Sequence, residues 1–318
     1  LPHSPLCLLR GYADDMALEV WLREHIWPAE GRFVNHAFVR DGTRLAVAEM
    51  LRSGTTCFND MYFFPDSTIE VCREAGMRVC AGITIIEMAS SWATGVGEYI
   101  EKGLALRDQW KDDPLVGFAL APHSPYTVSD DAMDQIAGLS GELDLRVHMH
   151  VLETEWELKQ SYQQHDSHPL ARLRRHGLLN ERLSAVHMTQ LRETDIEAVA
   201  DSGASVVHCP QSNLKLASGF CPVADLVEAG VLTGSQKSIH QGKIIAGFVI
   251  GSRRLYDWVD DNPLIELHRT EYVNDPFVIA QNERQVAIKV LKPELAAVIG
   301  GFVVATAILA AVIGLTMG

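Results

Sequence analysis

Short apolar runs alternating with amphipathic helical stretches between residues 45 and 210 limit most sharply how this chain can fold. The runs are 55–58, 78–84, 116–120, 145–150, 183–187 and 205–208, and helix-like patterns lie between them at 67–75, 97–110, 130–139 and 193–200. Strands alternating with helices of this length predict βα units built on a parallel sheet. Polar residues recur where the runs end, at Asn59 and Asp60, His123, His150 and Glu153, His187, and His208. In a (β/α)8 barrel the C-terminal strand ends form the face that carries chemistry. A doubly wound sheet is the competitor, but neither G-x-G-x-x-G nor G-x-x-x-x-G-K-[ST] occurs to support a nucleotide site of that kind.

The 318 residues are 47% hydrophobic and 21% charged, enough for a sizeable core and too apolar for wholesale disorder. A formal net charge of −14 argues against nonspecific binding to nucleic acid or anionic lipid. The six cysteines include no C-x-x-C pair, which removes a zinc ribbon and a thioredoxin-type site. They read as reduced, buried thiols of a cytoplasmic fold.

Residues 295–318 carry no charge, and small residues repeat there at four-residue spacing (Ala296/Gly300, Gly301/Ala305, Ala307/Ala311). As a helix this stretch would reach roughly 36 Å, enough to cross a bilayer core. With Lys289 and Lys292 just before it, the stretch predicts a tail anchor that leaves the bulk in the cytoplasm. A buried or unstructured apolar tail is the plainer alternative.

His148-Met149-His150 followed by Glu153 is the most informative run. On a strand, His148 and His150 project to one face, and Glu153 falls just beyond the strand end. Imidazole and carboxylate in that arrangement suit a metal and a proton shuttle beside it. H-x-H alone is a weak signal, since a strand histidine is more often a satisfied core residue. Histidines on several successive strand ends shift the balance towards a site.

Collinear segments then carry a resemblance. They include 9–15, Trp21-Leu22, 26–30, 54–61, 122–126, 148–154, 208–210 and 212–216. Over about residues 3–230 the chain resembles the amidohydrolase superfamily, and within it the 5-methylthioadenosine/S-adenosylhomocysteine deaminase group. The resemblance implies one divalent metal, usually Zn2+, in an α/β (β/α)8 TIM-type barrel, with a small-molecule nucleoside thioether as partner and no nucleic acid. It implies His3 and His150 as metal ligands. Glu153 would be the acid/base for the purine ring nitrogen, and His187 would help activate water. Glu30 would grip the ribose, Trp21 would lie beside the base, and His123 would touch substrate. On plainer readings Glu30 is a solvated helix-end residue, Trp21 a core aromatic and His123 a turn-stabilising side chain.

Two departures weaken that implication. The family's first strand ends in His-x-His, but Leu1 occupies the place of the first histidine. The family's eighth strand carries a Gly-Thr-Asp-Gly-type segment, and this chain reads Val231-Leu232-Thr233-Gly234-Ser235-Gln236. Two of four expected ligands are missing, which predicts impaired metal binding. Residues 225–288 resemble the acetyl-CoA hydrolase/transferase family through 225–231, 233–235, 240–244, 251–257, 259–263 and 272–276. No segment matches that family's nucleophile, so CoA transfer is not expected. The reading is a mosaic: an incomplete amidohydrolase-like barrel over 1–230, an α/β CoA-transferase-like segment over 231–288 and a hydrophobic helix over 289–318. Its function is a metal-dependent deaminase, with an inactive membrane-anchored scaffold as the alternative. Residues 243–250 are apolar enough to act as a substitute strand.

Overall fold

A computed structural model describes residues 3–13 and 16–235, together with the backbone of 239–240 and 243–244. Seven parallel strands follow one another in chain order across one sheet: β1 (Cys57–Met61), β2 (Arg78–Ile85), β3 (Val116–Pro122), β4 (Arg146–Val151), β5 (Leu183–His187), β6 (Ser205–His208) and β7 (Thr233–Ser235). Neighbouring order with every connection parallel is the signature of right-handed βα repeats. The helices follow the expected alternation. A helical stretch of α1 (Leu18–Val20), a π-helix (Trp21–Ile26) and α2 (Trp27–Phe33) precedes α3 (His36–Arg52) and α4 (Pro65–Ala75). Then come α5 (Val96–Trp110), α6 (Asp130–Leu143), α7 (Glu155–His165), α8 (Pro169–Arg175), α9 (Glu193–Ser202), α10 (Pro210–Lys215) and α11 (Val223–Glu228).

Local chemistry sets the boundaries. Asn35, Ser129 and Thr154 begin α3, α6 and α7 by accepting from Phe38 N, Ala132 N and Glu157 N. Gly76 and Gly203 end α4 and α9 in the left-handed conformation. The main core lies between strands and helices, where Ile85, Leu120, Met133, Ile136, Val147, Met149, Leu173 and Leu183 are all buried. Each large side chain buried there contributes about 1.5–3 kcal/mol. At Gly103 helix and strand come too close for any side chain, since a Cβ there would stand 2.1 Å from Ile83 Cγ2.

The sheet thus supports a parallel α/β half-barrel. The strands begin and end slightly differently from the apolar runs. β1 extends to Met61, and β3 includes Ala121 and Pro122, because backbone pairing to β2 continues through both. The place beside β6 belongs to Thr233–Ser235. The expected substitute strand over 243–250 is corrected where it is described: Lys243–Ile244 (β9) pairs antiparallel with Ile239–His240 (β8) in a separate sheet. Residues 245–250 lie outside the described residues, as do most of the CoA-transferase-like stretch and all of 289–318. Among the described residues no helix is long and apolar enough to cross a membrane.

Candidate active site

β4 is the hub. Register sets His148 beside Ser184 and His150 beside Val186, so the two histidines share one face of the sheet at successive levels. Both are buried, and neither ring has a hydrogen-bond partner on either nitrogen. Burial, with the neighbouring histidines adding to it, holds the His150 ring well below the usual imidazole range. The neutral imidazole is the form that offers a lone pair.

Three further imidazoles surround His150. His3, His123 and His187 have ring centres 5.3, 5.2 and 5.2 Å from it. His148 is farther, at 6.2 Å. Two imidazoles bound to one tetrahedral ion at about 2.0–2.1 Å place their ring centres roughly 5 Å apart. The spacing about His150 therefore suits a shared divalent ion. Yet among the described residues no three His, Cys, Asp or Glu side chains already stand where they could hold a metal. The imidazoles fit a zinc-like ion in chemistry and in ring spacing, but not as a closed donor set.

Each ring reaches the hub by a different route. His3 opens a 3-10 helix (Ser4–Leu9), and its Nδ1 lies 2.5 Å from Met61 O at the end of β1. The adjacent Ser4 donates its N–H and hydroxyl to Asp60 at 2.9 and 2.8 Å. Burial, opposed by those bonds, pushes the Asp60 carboxyl up to about 6. Gly42 lets this segment dock, because a Cβ there would meet Pro5 O at 2.5 Å.

His123 follows β3 with Nδ1 3.1 Å from both Ser124 Oγ and Thr127 Oγ1. It is thus tied to its own turn while its ring packs against His150.

His187 ends β5 with φ 79°, and its Nδ1 lies 2.6 Å from Asn213 Oδ1. Since Asn213 Oδ1 can only accept, Nδ1 carries the proton and the Nε2 lone pair is left facing Glu153, whose Oε1 stands 3.4 Å away. Burial, with Glu157 and Glu19 adding to it, pushes the Glu153 carboxyl up to about 8. Burial also holds His123 and His187 down at about 3.

A cavity of about 200 Å³ opens beside the hub, lined by His3, Trp21, Glu30, Tyr62, Thr84 and His123 together with apolar side chains such as Ile26, Trp27 and Met88. Trp21 and Ile26 begin and end the π-helical stretch. A residue there bonds five positions along, which aligns these two on one side. Glu30 is half-buried and accepts from Tyr62 OH at 2.8 Å. Burial, opposed by that bond, pushes Glu30 up to about 7. Glu30 is therefore not a solvated helix-end residue, and Trp21 is a wall of the cavity. Glu153, His150 and His187 are not among the residues that line this cavity; His3 and His123 join it to them.

Asn213, Tyr62 and Asp60 hold the site together and carried no assigned role in the sequence. Asn213 lies in the 212–216 segment, but nothing in its neighbours says that it meets a residue 26 positions earlier.

The amidohydrolase family model matches residues 3–261, and the acetyl-CoA hydrolase/transferase C-terminal domain matches 251–307. A 5-methylthioadenosine/S-adenosylhomocysteine deaminase of Teredinibacter turnerae is 50% identical over 229 residues, 72% of this chain and 52% of the relative. A 5'-deoxyadenosine deaminase of Methanothrix thermoacetophila is 40% identical over 229 residues, 72% of this chain and 54% of its own. The crystal structure of an adenosine deaminase from Xanthomonas campestris, with bound zinc, superposes with TM-score 0.72 at 51% identity, covering 73% of this chain and 53% of that one. A zinc-bound atrazine chlorohydrolase from Arthrobacter aurescens shares the fold at TM-score 0.69 and 20% identity, covering 73% and 57%. The chain spans about half the length of the curated relatives it matches.

Proposed function

The chain belongs to the amidohydrolase family, and we propose that its described residues form the site of a hydrolytic deaminase for adenosine-type thioethers such as 5'-methylthioadenosine. The products would be ammonia and the 6-oxo purine nucleoside. The single observation behind this reading is the gathering of His3, His123 and His187 around His150, with Glu153 at its edge.

His3 and His150 would hold the divalent ion, which when bound would supply a Lewis acid and a lowered pKa for water at the site. Glu153, protonated at neutral pH, donates to the purine ring nitrogen as C6 is attacked. His187 Nε2, its other nitrogen fixed by Asn213, receives the proton of the attacking water. Glu30 keeps one carboxylate oxygen on Tyr62 and offers the other to ribose hydroxyls. Trp21 lies along the base, and His123 closes the cavity on the strand side. Purified protein would be assayed for bound metal and for the loss of adenine absorbance from 5'-methylthioadenosine. Metal-free protein that also fails to take up added zinc, and shows no spectral change, would overturn the reading.

One observation favours a second reading, a non-catalytic member of the family. β7 ends in Thr233-Gly234-Ser235 where the resemblance calls for an Asp. On that reading zinc is not retained and thioether nucleosides are not turned over. The same assay separates the two.

A further inference from the structure

The turn that carries Glu153 is conformationally costly. Leu152 adopts φ 50°, and across the strand pair His187 and Met188 adopt φ 79° and 48°. For residues with a Cβ each such conformation is strained and persists only where surrounding bonds enforce it. Leu152 and Glu153 are bonded from both sides. Glu157, buried in the first turn of α7, accepts the Leu152 N–H on Oε1 and the Glu153 N–H on Oε2, each at 2.9 Å. From the loop after β5, Thr189 donates its N–H to Leu152 O at 2.9 Å and its hydroxyl to Glu153 O at 2.7 Å. All four backbone groups of the turn are thus satisfied by two residues that neither line the cavity nor belong to the imidazole cluster.

We propose that Glu157 and Thr189 are positioning residues: together they clasp the Leu152–Glu153 turn and hold the Glu153 carboxyl against His187. The clasp also ties the end of β4 to the end of β5, since Thr189 lies two residues past His187. A bidentate carboxylate on two consecutive amides is specific in its demands. The substitution Glu157→Gln would keep one acceptor and turn an N–H₂ towards the other amide, while Glu157→Ala would leave two buried N–H groups unpaired. The role of Glu153 rests on the deaminase reading; the clasp itself does not.

The test compares the whole chain with E157A, E157Q and T189V by amide hydrogen exchange at Leu152 and Glu153 and by steady-state turnover of 5'-methylthioadenosine. We expect exchange of those two amides in E157A to quicken roughly 10-fold or more, with the rest of the sheet unchanged. Turnover should fall roughly 10²-fold in kcat with KM within about twofold, because a misplaced acid affects the chemical step rather than binding. E157Q should lie between E157A and the unaltered chain in both measurements. Should E157A fail to fold, T189V, which keeps volume and removes only the hydroxyl, decides the outcome by the same two readings. Unchanged exchange in the folded variants overturns the proposal, as does quickened exchange with unchanged kcat. If the unaltered chain shows no turnover, the deaminase reading fails, and exchange alone still decides whether the clasp exists.

Discussion

His187 is held through opposite edges of one ring: Asn213 Oδ1 lies 2.6 Å from Nδ1, and Glu153 Oε1 lies 3.4 Å from Nε2. The first contact fixes the tautomer and the second presents the lone pair to an acid. Replacing Asn213 with Leu removes the acceptor, so the imidazole loses its fixed orientation. N213L is expected to lower turnover of 5'-methylthioadenosine about 10-fold, against roughly 10²–10⁴-fold for H187A, which removes the proton acceptor itself. Steady-state kinetics on both variants measures the ratio, and equal losses would show that Asn213 does more than orient.

Glu153 acts as a proton donor only while it carries its proton. With its carboxyl pushed up to about 8 by burial, turnover should hold from neutral pH to about 8 and fall tenfold per unit above it. A pH–rate profile measures this. A descending limb at pH 5, where an ordinary carboxylic acid has already lost its proton, would remove Glu153 from the donor role.

Glu30 links pH to stability. Its folded value of about 7 lies above the ordinary 4.5, so the folded state binds the proton more tightly than the unfolded chain. This group's favourable contribution is complete below about pH 4.5 and is lost as pH rises through about 7. The slope is at most about 1.4 kcal/mol per pH unit within that window. E30Q should flatten the fall in Tm between pH 5 and pH 8, as followed by calorimetry. A Tm curve unchanged by E30Q would mean that Tyr62 and solvent hold the carboxylate as well as water does.

Much of the architecture could be read from the residues, because apolar runs and intervening helices obey periods that local sequence carries. The strand ends at His150 and His187 were legible for the same reason, whereas Trp21 and Glu30 were singled out by the family resemblance alone. What could not be read depends on distant pairing. Asp60 meets Ser4 across 56 positions, Tyr62 meets Glu30 across 32, and Arg172 meets Pro125 across 47. Each is a polar bond between elements that fold independently in sequence. The place beside β6 went to Thr233–Ser235, while Lys243–Ile244 pairs with Ile239–His240, a pairing that apolar composition alone does not specify.

Arg172 is fully buried, yet it does not touch the site. Its guanidinium donates to Pro125 O, to Val128 O at 2.8 Å and to Asp130 Oδ1 at 2.6 Å, and so fastens the turn after His123 to α8. R172M keeps the volume but leaves two buried carbonyls and a carboxylate without their donor. The expected cost is about 3 kcal/mol in chemical denaturation. A loss below about 1 kcal/mol would mean that water replaces the guanidinium.

His148 and His150 lie on one strand face, and their surroundings differ. Both rings have unpartnered nitrogens, but among the described residues only His150 has three imidazoles at about tetrahedral spacing, whereas His148 lies one level deeper. Added zinc should raise Tm in proportion to RT ln(1 + [Zn]/Kd), about 2.7 kcal/mol at a hundredfold excess over Kd, and a chelator should reverse it. H150A should abolish the shift. H148L should retain it and fold at least as stably as the parent, because it removes an unsatisfied buried imidazole worth about 1 kcal/mol or more. A zinc-dependent shift that survives H150A and vanishes in H148L would move the metal one level down the barrel, and would take Glu153 out of reach of whatever it activates.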